Sequence, residues 1–553
     1  MHLPELARAL ERAAQELGAG DELEVRLERP KTVSHGDVAT NLAMVLAGRL
    51  GRVPRELAEQ LLGALDLPAL HIEQAEIAGP GFLNFRISRD YLRDQLREIC
   101  RADRDYGRGS WGTGRSVNVE FVSANPTGPL HVGHGRGAAV GDAIARLLEF
   151  TGHRVQREFY VNDAGAQIDK LIESIGARYR QLQGRDDPIP DGGYHGEYVT
   201  ELASQLRAEH ADQLAGEWGT TKRELVRRYA LERMQEEQRD DMRAFRVEFD
   251  EFRTESSVYE SGQIEATLAE LQRRGLSYQR EGAEWLRTTT FGDDKDRVLV
   301  KSDSSYTYFL PDIAYHRDKA LRGFDTAIDV WGADHHGYVP RMKAAMEALG
   351  LGRDFFEAVI VQLVRVERSG EEVKFSKRAG EFVTLRDLID EVGTDVTRYF
   401  FLERGPQQQM VFDLDLAKER SEKNPVYKVQ YAHARLRSVY RRGGIESAQI
   451  ALDVDLSPLV RPEALEMIKT LLDFPETATA AARSREPHRV TAYVEGLANQ
   501  LNSWYHMGTR DQSLRVLGQE ERVTAARLVL ARAAEIVLRN GLWLLGIEAP
   551  ERM

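Results

Sequence analysis

Apolar residues recur at helical and strand spacings in the first part of the chain, and they predict a small α/β unit over residues 1–110. Leu3, Leu6 and Leu10 would share one face of a helix, so the N-terminal segment is predicted to be an amphipathic helix. The segments that follow predict a strand at 22–30, helices at 39–51 and 54–65, and a strand pair within 72–87. The glycine-rich run 106–114 is typical of a linker.

A strand, a helix and a second strand are predicted after the linker. Val117, Val119 and Phe121 alternate with polar residues, which indicates a strand. The apolar positions between 139 and 148 have helical spacing, and 152–163 is again strand-like. The sequence therefore predicts a βαβ unit with a glycine-rich loop at the end of its first strand.

The remaining pattern predicts a second βα half and a helical end. Residues 165–275 are mostly helical and highly charged, as expected of an insertion, whereas strands at 326–332 and 358–366 flank another helix. We therefore predict a Rossmann-like, doubly wound parallel α/β catalytic domain with a helical insertion, between a small α/β N-terminal domain and an all-α C-terminal domain. The predicted boundaries are 1–110, 111–385 with the insertion at about 165–275, 386–425 and 426–553.

Composition narrows the classes of protein further. The 553 residues include one cysteine, Cys100, which excludes an internal disulfide framework and a cysteine-cluster zinc site. No run approaches the roughly 18 apolar residues of a membrane helix, and the N-terminal helix contains acids, unlike a signal peptide. We therefore expect a cytoplasmic protein without a membrane partner. The formal charge of −13 argues against a general nucleic-acid coat protein but allows one local basic face.

The segment HVGH, His131 to His134, lies between the first predicted strand and its helix. A helix N-terminus presents unpaired N–H groups that suit a phosphate, and imidazoles there can donate to phosphate oxygens. Gly133 lacks a Cβ and would let a flat base lie against the backbone. The alternative is a glycine-rich turn with two incidental histidines, but the pattern H-x-G-H is expected only about 0.03 times by chance in this composition. We therefore predict a nucleotide site here.

Two further motifs lie at predicted strand ends. Lys374 and Lys377 belong to the predicted loop VKFSKRAG. Their flexible ammonium groups can follow the phosphates of a leaving pyrophosphate. The alternative interpretation of this segment is a solvated basic turn. In WGADHHG, Gly332 allows close approach of a ligand and Asp334 can accept from ribose hydroxyls. The adjacent histidines 335 and 336 diverge in direction and no third ligand is near, so we expect no zinc and no other protein-bound metal.

A set of acidic and polar residues is placed to bind a cation. Glu120 lies within the predicted core strand before HVGH, and an acid there requires a cationic partner. Asn125 follows in the loop, and Tyr308 and Asp312 are four residues apart. For each carboxylate alone, a solvated surface charge is the alternative interpretation.

A basic segment lies near the start of the C-terminal helices. Between Arg420 and Arg442 there are seven Lys or Arg residues and one acid, with three tyrosines interleaved. Cations for phosphates and aromatic rings for stacking are the composition of an RNA-binding face, and a solvated helix face is an equally open alternative.

These motifs together resemble a known family. HVGH resembles the HIGH signature and KFSKR resembles the KMSKS signature of the class I aminoacyl-tRNA synthetases, with Phe375 in place of the Met and Arg378 in place of the final Ser. Longer segments resemble the bacterial arginyl-tRNA synthetase family, and they extend over essentially the whole chain: SHGDVATNLAM, GPGFLNFRI, EFVSANPTGPLHVGHGR, FYVNDAGAQI, DIAYHRDK, GADHHGYVPRMKAA and GLWLLGIEAPERM.

The resemblance implies a two-step reaction. L-Arginine would react with ATP and Mg²⁺ to form arginyl-adenylate, and the arginyl group would pass to the 2′-hydroxyl of the terminal adenosine of tRNA(Arg). It also implies that tRNA must bind before the adenylate forms. The N-terminal domain would contact the tRNA elbow, the C-terminal helices would bind the anticodon, and the protein would be a monomer.

The resemblance also assigns the site residues. The predicted catalytic residues are His131, His134, Lys374 and Lys377. ATP would be bound by His131, Gly133, His134, Gly332, Asp334 and Lys377, and arginine by Glu120, Asn125, Tyr308, Asp312 and His336. The predicted tRNA contacts are Lys428, Tyr431, Arg435, Arg437 and Trp504.

Three rival interpretations remain at this point. A nucleotidylyltransferase also uses an HxGH loop, but such enzymes are shorter and lack a large helical C-terminal half. Sister synthetases for cysteine and methionine usually carry metal-binding cysteines, and this chain has only Cys100. A non-enzymatic RNA-binding paralogue would have lost His131, His134 or Lys377, and all three are present.

Overall fold

The N-terminal unit packs three helices against a small antiparallel sheet. The structure is a computed structural model that describes residues 3–20, 25–30, 32, 35–216, 218–373 and 383–553. The elements of this unit are α1 (Pro4–Glu16), β1 (Val38–Thr40), α2 (Leu42–Leu50), α3 (Pro54–Gly63), β2 (Ile72–Ala78), β3 (Phe82–Ile87) and the following α4 (Arg89–Ala102). The strand order is β1-β3-β2, with both pairs antiparallel.

Two details of this unit differ from the sequence-based prediction. The segment 25–30 forms no strand, and its contact with the sheet is a single bridge between Glu28 and Ala39; residues 21–24 lie outside the described part. The predicted helix 39–51 begins later, at Leu42, because residues 38–40 pair with β3 as an edge strand. The strand pair within 72–87 is confirmed.

A five-stranded, all-parallel sheet forms the centre of the molecule. Its strands, in the spatial order β11-β10-β4-β5-β6, are β4 (Ser116–Glu120), β5 (Arg154–Val161), β6 (Glu251–Thr254), β10 (Thr326–Gly332) and β11 (Phe356–Val361). The chain passes from β4 to β5 and β6 on one side of the sheet, and from β10 to β11 on the other. The topological switch point therefore lies between β4 and β10, and ligands of such sheets bind outside the carboxyl ends of the strands at that point.

Helices cover both faces of this sheet, as the doubly wound prediction requires. The first crossover helix, α5 (Val132–Phe150), presents a nearly continuous buried surface that includes Ala139, Ala143 and Leu147. Gly141 of α5 allows close approach, because a Cβ there would lie 2.3 Å from the ring of Phe121. The predicted βαβ unit and fold class are confirmed.

The predicted insertion is mostly helical but also contains one core strand. Its helices are α6 (Ala166–Gln181), α7 (Glu197–His210), α8 (Thr220–Ala244), α9 (Glu255–Glu260) and α10 (Gln263–Arg273). The first three share their own apolar cluster, which includes Leu171, Leu202 and Val226. Strand β6 lies between α8 and α9 and closes one edge of the central sheet, because it pairs in parallel with β5.

A small antiparallel sheet and two more helices complete the second half. The elements are β7 (Ser277–Arg280), β8 (Ala283–Leu286), β9 (Arg297–Val300), α11 (Phe309–Leu321) and α12 (Val339–Ala348). The single strand predicted at 358–366 is wrong, because the chain leaves the central sheet after Val361 and starts β12 (Val364–Arg368) in a different sheet. There β12 pairs with β13 (Glu371–Glu372) and with β14 (Met410–Asp413).

The C-terminal part is helical apart from β14. Its helices are α13 (Leu385–Val392), α14 (Thr394–Leu402), α15 (Leu414–Lys418), α16 (Pro425–Gly443), α17 (Pro462–Leu472), α18 (Phe474–Ser484), α19 (His488–Arg510) and α20 (Glu521–Leu544). The buried face of α20 includes Leu528, Ile536 and Leu538. Within the described residues, every helix is too short or too polar to cross a bilayer.

Candidate active site

The HVGH turn lies at the start of α5, after the loop 121–130 that follows β4, and its two histidines cap the helix reciprocally. His131 is the N-cap residue, and its Nδ1 accepts from the backbone N–H of Gly133 at 3.1 Å and of His134 at 3.3 Å. The Nδ1 of His134 accepts in return from the backbone N–H of His131 at 3.3 Å. The two rings stack with their centroids 3.6 Å apart. Both Nδ1 atoms are therefore acceptors, and the neutral imidazoles carry their proton on Nε2.

The environment of the turn keeps these imidazoles neutral. Burial and the neighbouring His131 lower the pKa of His134 to about 3, and burial also lowers the pKa of His131. Gly133 is required here for a reason that the sequence did not indicate. A Cβ at this position would lie 2.9 Å from Cε1 of His131, so the imidazole itself fills the space predicted for a base.

The described chain resumes beside the same turn, at Val383, after the segment that carries the two predicted catalytic lysines. Lys374 and Lys377 lie outside the described residues. Where the described chain resumes, the backbone N–H of Val132 donates to the carbonyl of Val383 at 3.2 Å, and that of Leu385 donates to the carbonyl of Leu130 at 2.7 Å. Thr384 then caps α13. The described chain that follows the lysine segment is thus hydrogen-bonded beside HVGH, at residues 383–385.

Gly332 and Asp334 lie at the neighbouring strand end. Gly332 is the last residue of β10, and Asp334 is exposed on the 3₁₀ turn that follows, with its carboxylate 3.3 Å from Nε2 of His335. His336 is exposed on the same turn. Because β10 and β4 are adjacent and parallel, this turn and HVGH occupy the same edge of the sheet.

A row of three buried carboxylates crosses the strands directly beneath this edge. Asp329 of β10 is in register with Glu120 of β4, which is in register with Glu158 of β5, so all three point to one face. Their partners come from α11. Lys319 donates to Glu120 at 2.6 Å and to Asp329 at 3.0 Å, and Arg322 contacts Glu158 through two nitrogens.

Glu120 therefore has a resident cation in Lys319, whereas the sequence predicted the substrate as the cationic partner of this acid. The side chain of Lys319 is fully buried, and its ammonium occupies the space where Glu120, Asp329 and His316 would otherwise offer ligands to a metal ion. Burial raises the pKa of Glu120, and Lys319 opposes that rise.

Asp312 and Glu255 lack such a partner. The Tyr338 hydroxyl donates to Oδ2 of Asp312 at 2.7 Å, and among the described residues no ion pair is formed by Asp312 or by Glu255. Burial raises the pKa of Asp312. Burial and the carboxylates of Asp312 and Asp163 raise the pKa of Glu255 to about 7. These acids form an electrostatic site that calls for a cation.

The three acids of the candidate site surround one tyrosine. Burial raises the pKa of the Tyr160 hydroxyl, and so do the nearby carboxylates of Glu255, Asp312 and Glu120. A cavity of about 740 Å³ opens beside them, and its lining includes Asn125, Glu255, Tyr259 and Tyr308. Asn125 donates to Gln167 at 2.6 Å, and Tyr308 is 83% exposed at the start of α11. Asn125 and Tyr308 thus line one cavity with Glu255. Glu120 and Asp312 are not among its lining residues, but Asp312 lies near Glu255, and both acids lie near Tyr160.

Sequence reasoning missed Glu255, Tyr338 and Lys319. Glu255 begins α9 directly after the unpredicted strand β6, so no motif marked it. Tyr338 follows WGADHHG directly, and Lys319 is the last residue of the quoted segment DIAYHRDK. Helical spacing could have found Lys319, because Asp312, His316 and Lys319 fall on one face of a helix.

The predicted tRNA contacts on α16 have different environments. Lys428 forms an ion pair with Glu495 at 2.7 Å, and Arg437 forms ion pairs with Glu535 and Glu551. The Arg435 guanidinium lies between the rings of Tyr431 and Tyr505, 4.5 and 4.7 Å from their centroids. Trp504 lines a cavity of about 460 Å³ together with Tyr505 and Arg442. The assignment of these residues to tRNA stays a prediction.

Three family models match consecutive parts of the chain. An arginyl tRNA synthetase N-terminal domain matches residues 4–87, a catalytic domain of the class I tRNA synthetases (R) matches residues 95–413, and a DALR anticodon binding domain matches residues 429–553. The middle match contains the HVGH turn, the acidic row and the cavity.

Curated relatives and a solved structure agree with these matches. The chain is 48% identical over 530 residues to arginine–tRNA ligase 1 of Halalkalibacterium halodurans, covering 96% of this chain and 94% of that protein. It is 47% identical over 530 residues to the arginine–tRNA ligase of Bacillus subtilis, with the same coverage. The Thermus thermophilus arginyl-tRNA synthetase has the same fold over the whole of both chains, with a TM-score of 0.79 at 24% identity. The chain therefore belongs to the arginyl-tRNA synthetase family of the class I tRNA synthetases, and it is an enzyme that ligates arginine to tRNA.

Proposed function

We propose that the enzyme activates L-arginine with MgATP at the switch point between β4 and β10 and transfers the arginyl group to the 2′-hydroxyl of the terminal adenosine of tRNA(Arg). The observation that carries this proposal is a pair of acids at the same edge of the sheet as HVGH. Glu255 lines a cavity of about 740 Å³, and the carboxylate of Asp312 is near enough to raise the pKa of Glu255. A cationic substrate supplies the charge that these acids lack.

The guanidinium of arginine fits the acids by shape as well as by charge. It is a planar fork of five donors, which suits carboxylates held at fixed angles. Asp312 is held by the Tyr338 hydroxyl, and Glu120 is held at both oxygens. Tyr308, Asn125 and His336 complete the arginine site. A lysine ammonium is a point charge and would leave part of this set unpaired, so lysine should be rejected.

The first step joins arginine to the nucleotide. An oxygen of the arginine carboxylate bonds to the α-phosphorus of ATP, and the bond from that phosphorus to the bridging oxygen of the leaving pyrophosphate breaks. The Nε2–H groups of His131 and His134 donate to phosphate oxygens at the N-terminus of α5. Gly332 and Asp334 hold the adenosine, and Lys374 and Lys377 stabilise the negative charge of the leaving pyrophosphate.

The second step requires the tRNA to contact all three domains. In the N-terminal domain a cavity of about 700 Å³ includes the exposed ring of Phe82 and the amide of Asn84, and we assign it to the tRNA elbow. In the C-terminal domain the tyrosine-stacked Arg435 and the cavity beside Trp504 are the candidates for the anticodon. Lys428 and Arg437 would have to exchange their carboxylate partners for phosphates. We propose that one monomer carries the complete site.

Pyrophosphate exchange into ATP tests the proposal. Exchange should depend on arginine, and it should require tRNA(Arg); lysine and citrulline, offered at the same concentration, should give none. Exchange supported by lysine would contradict the assignment of the acidic site. Exchange with arginine but without tRNA would contradict only the order of binding.

A further inference from the structure

Lys319 is a fully buried ammonium group directly beneath the candidate arginine site. It lies on α11, and its Nζ donates to Oε2 of Glu120 at 2.6 Å and to Oδ1 of Asp329 at 3.0 Å. Its third neighbour is the ring of Tyr315, whose centroid is 4.6 Å away. Burial opposes its charge, but Asp329, Glu120 and Glu158 raise the pKa of Lys319, so it stays protonated.

The Glu120 carboxylate is fixed at both oxygens. Oε2 accepts from Lys319, and Oε1 accepts from the Ser123 hydroxyl at 2.9 Å. That hydroxyl is itself located by the backbone N–H of Tyr160, which donates to it at 3.1 Å. Ser123 and the preceding Val122 both have positive φ, at 39° and 70°, a conformation that turns the chain back toward Glu120. Each carboxylate oxygen has two lone pairs, so both can still accept from a substrate.

The charge beneath the site is already balanced. Nε2 of His316 lies 2.7 Å from Asp329, and its Nδ1 lies 2.8 Å from the backbone carbonyl of Asp312. Both ring nitrogens face oxygen acceptors, which is the arrangement of an imidazolium. Although burial opposes it, Asp329 raises the pKa of His316. Lys319 and His316 thus match the charges of Glu120 and Asp329.

We propose that Lys319 is a positioning residue for arginine recognition: by holding Glu120 from below, it orients the carboxylate that accepts the guanidinium. This inference rests on the proposed function, because it requires Glu120 to contact the substrate. Asp329 has a different part: it accepts from the same ammonium and compensates its charge, while its own carboxylate repels that of Glu120.

A double-mutant cycle on the arginine KM separates positioning from folding. Lys319→Met keeps the volume of the stem and removes both hydrogen bonds. We expect it to raise the arginine KM by about tenfold or more while the ATP KM stays within about twofold, because the nucleotide turn is untouched. In a Glu120→Gln background the same change should add little, because coupled residues are not additive. If the two substitutions instead raise the arginine KM by independent factors that multiply in the double variant, the proposal is overturned.

Two further variants keep the test decisive if Lys319→Met folds poorly. The double variant Lys319→Met with Asp329→Asn restores the charge balance but not the hydrogen bond to Glu120. Thermal stability should therefore recover while the arginine KM stays high. If the double variant recovers both the stability and the KM, Lys319 only balances charge. Ser123→Ala removes the second anchor and should raise the arginine KM several-fold, and a wild-type KM would contradict positioning of Glu120.

Two comparisons separate this inference from the proposed function. The matched control is Arg317→Met on the same helix. Among the described residues, the Arg317 guanidinium contacts only Thr267, at 3.4 Å. The arginine KM of this variant should equal that of wild type. If Glu120→Gln alone leaves the arginine KM unchanged, the assignment of the pocket fails. If that variant raises the KM and Lys319→Met does not, only the role of Lys319 fails.

Discussion

At the scale of single residues, the acids of the site differ in how each is compensated. The Glu120 carboxylate pairs with the ammonium of Lys319, whereas among the described residues the Asp312 carboxylate accepts from the hydroxyl of Tyr338 and forms no ion pair. Glu255 has the carboxylates of Asp312 and Asp163 nearby, and together with burial they raise its pKa to about 7. Glu255 is therefore the acid whose ionisation a bound guanidinium changes most near neutral pH.

This makes arginine binding sensitive to pH. A cation binds the ionised form of Glu255, so a proton competes with arginine below the raised pKa. We expect the arginine KM to rise as the pH falls below about 7, with a limiting slope of about tenfold per pH unit for one proton. Pyrophosphate exchange with tRNA, measured from pH 6 to pH 8, gives this dependence.

A substitution and a second substrate control the measurement. Glu255→Gln should raise the arginine KM at pH 8 and flatten its dependence on pH. The ATP KM should vary little over this range, because the pKa of His134 is about 3 and the imidazole stays neutral. An arginine KM that is constant from pH 6 to pH 8 would show that Glu255 is not part of the site.

The sequence predicted some of these residues and not others, for a physical reason. His131, His134 and Glu120 stand in one short motif, where strand and helix geometry alone brings them together. Lys319 meets Glu120 across 199 residues of sequence, and no local spacing indicates such a contact. Glu255 carries no motif, and its altered pKa follows only from the packing around it.

At the scale of elements, the start of α5 depends on the absence of a side chain at position 133. A Cβ there would lie 2.9 Å from Cε1 and 3.0 Å from Nδ1 of His131. Gly133→Ala should therefore displace the imidazole that caps the helix and lower kcat of pyrophosphate exchange by about tenfold or more, since about 1.4 kcal/mol of lost transition-state stabilisation is a factor of ten. Loss of the cap should also lower stability by about 1 kcal/mol.

Another glycine of the same helix serves as the control. A Cβ on Gly137 would meet no atom within 4 Å. Gly137→Ala should keep full exchange activity and raise helix stability by up to about 1 kcal/mol, because alanine favours the helix. Equal losses of activity in the two variants would mean that α5 tolerates no substitution at either glycine. That outcome would contradict the displacement of the His131 imidazole as the cause.

Elements with a local signal were predicted, and elements with a distant partner were not. The apolar spacing between 139 and 148 identified α5, and the strand predicted at 326–332 is β10. The strand predicted at 358–366 divides at Val361 because β12 pairs with β14, which lies more than 40 residues later. Helix α11 directs a polar face inward, so amphipathicity alone would have placed that face in solvent.

At the scale of the whole molecule, one buried arginine joins three parts of the chain. The Arg398 guanidinium on α14 donates to the carbonyls of Leu545, after α20, and of Phe245, after α8, each at 3.0 Å. It also pairs with Asp142 on α5. The C-terminal end of the protein is thus fixed to the helix whose first turn is HVGH.

The residue after Leu545 tests this junction. A Cβ on Gly546 would lie 2.1 Å from a terminal nitrogen of Arg398, and its φ is +67°. Gly546→Ala should lower Tm by several degrees more than Gly518→Ala, since overpacking costs about 1–3 kcal/mol beyond the backbone strain. Gly518 has a φ of +79° and open space around it, so Gly518→Ala measures the cost of the backbone strain without any overpacking. If thermal denaturation gives equal Tm values for Gly546→Ala and Gly518→Ala, the close contact between Gly546 and Arg398 is contradicted.

The acid row under the sheet edge has a consequence for redesign. An engineer who wants this scaffold to charge tRNA with a neutral amino acid would first remove Glu120, which would leave the buried Lys319 ammonium with Asp329 as its carboxylate partner and with one donor facing a new apolar wall. An unsatisfied buried donor typically costs about 1–3 kcal/mol, and more when it is charged. Altered substrate preference therefore has to be introduced on α11 and on two strands together, so selection by single replacements would stall at the first one.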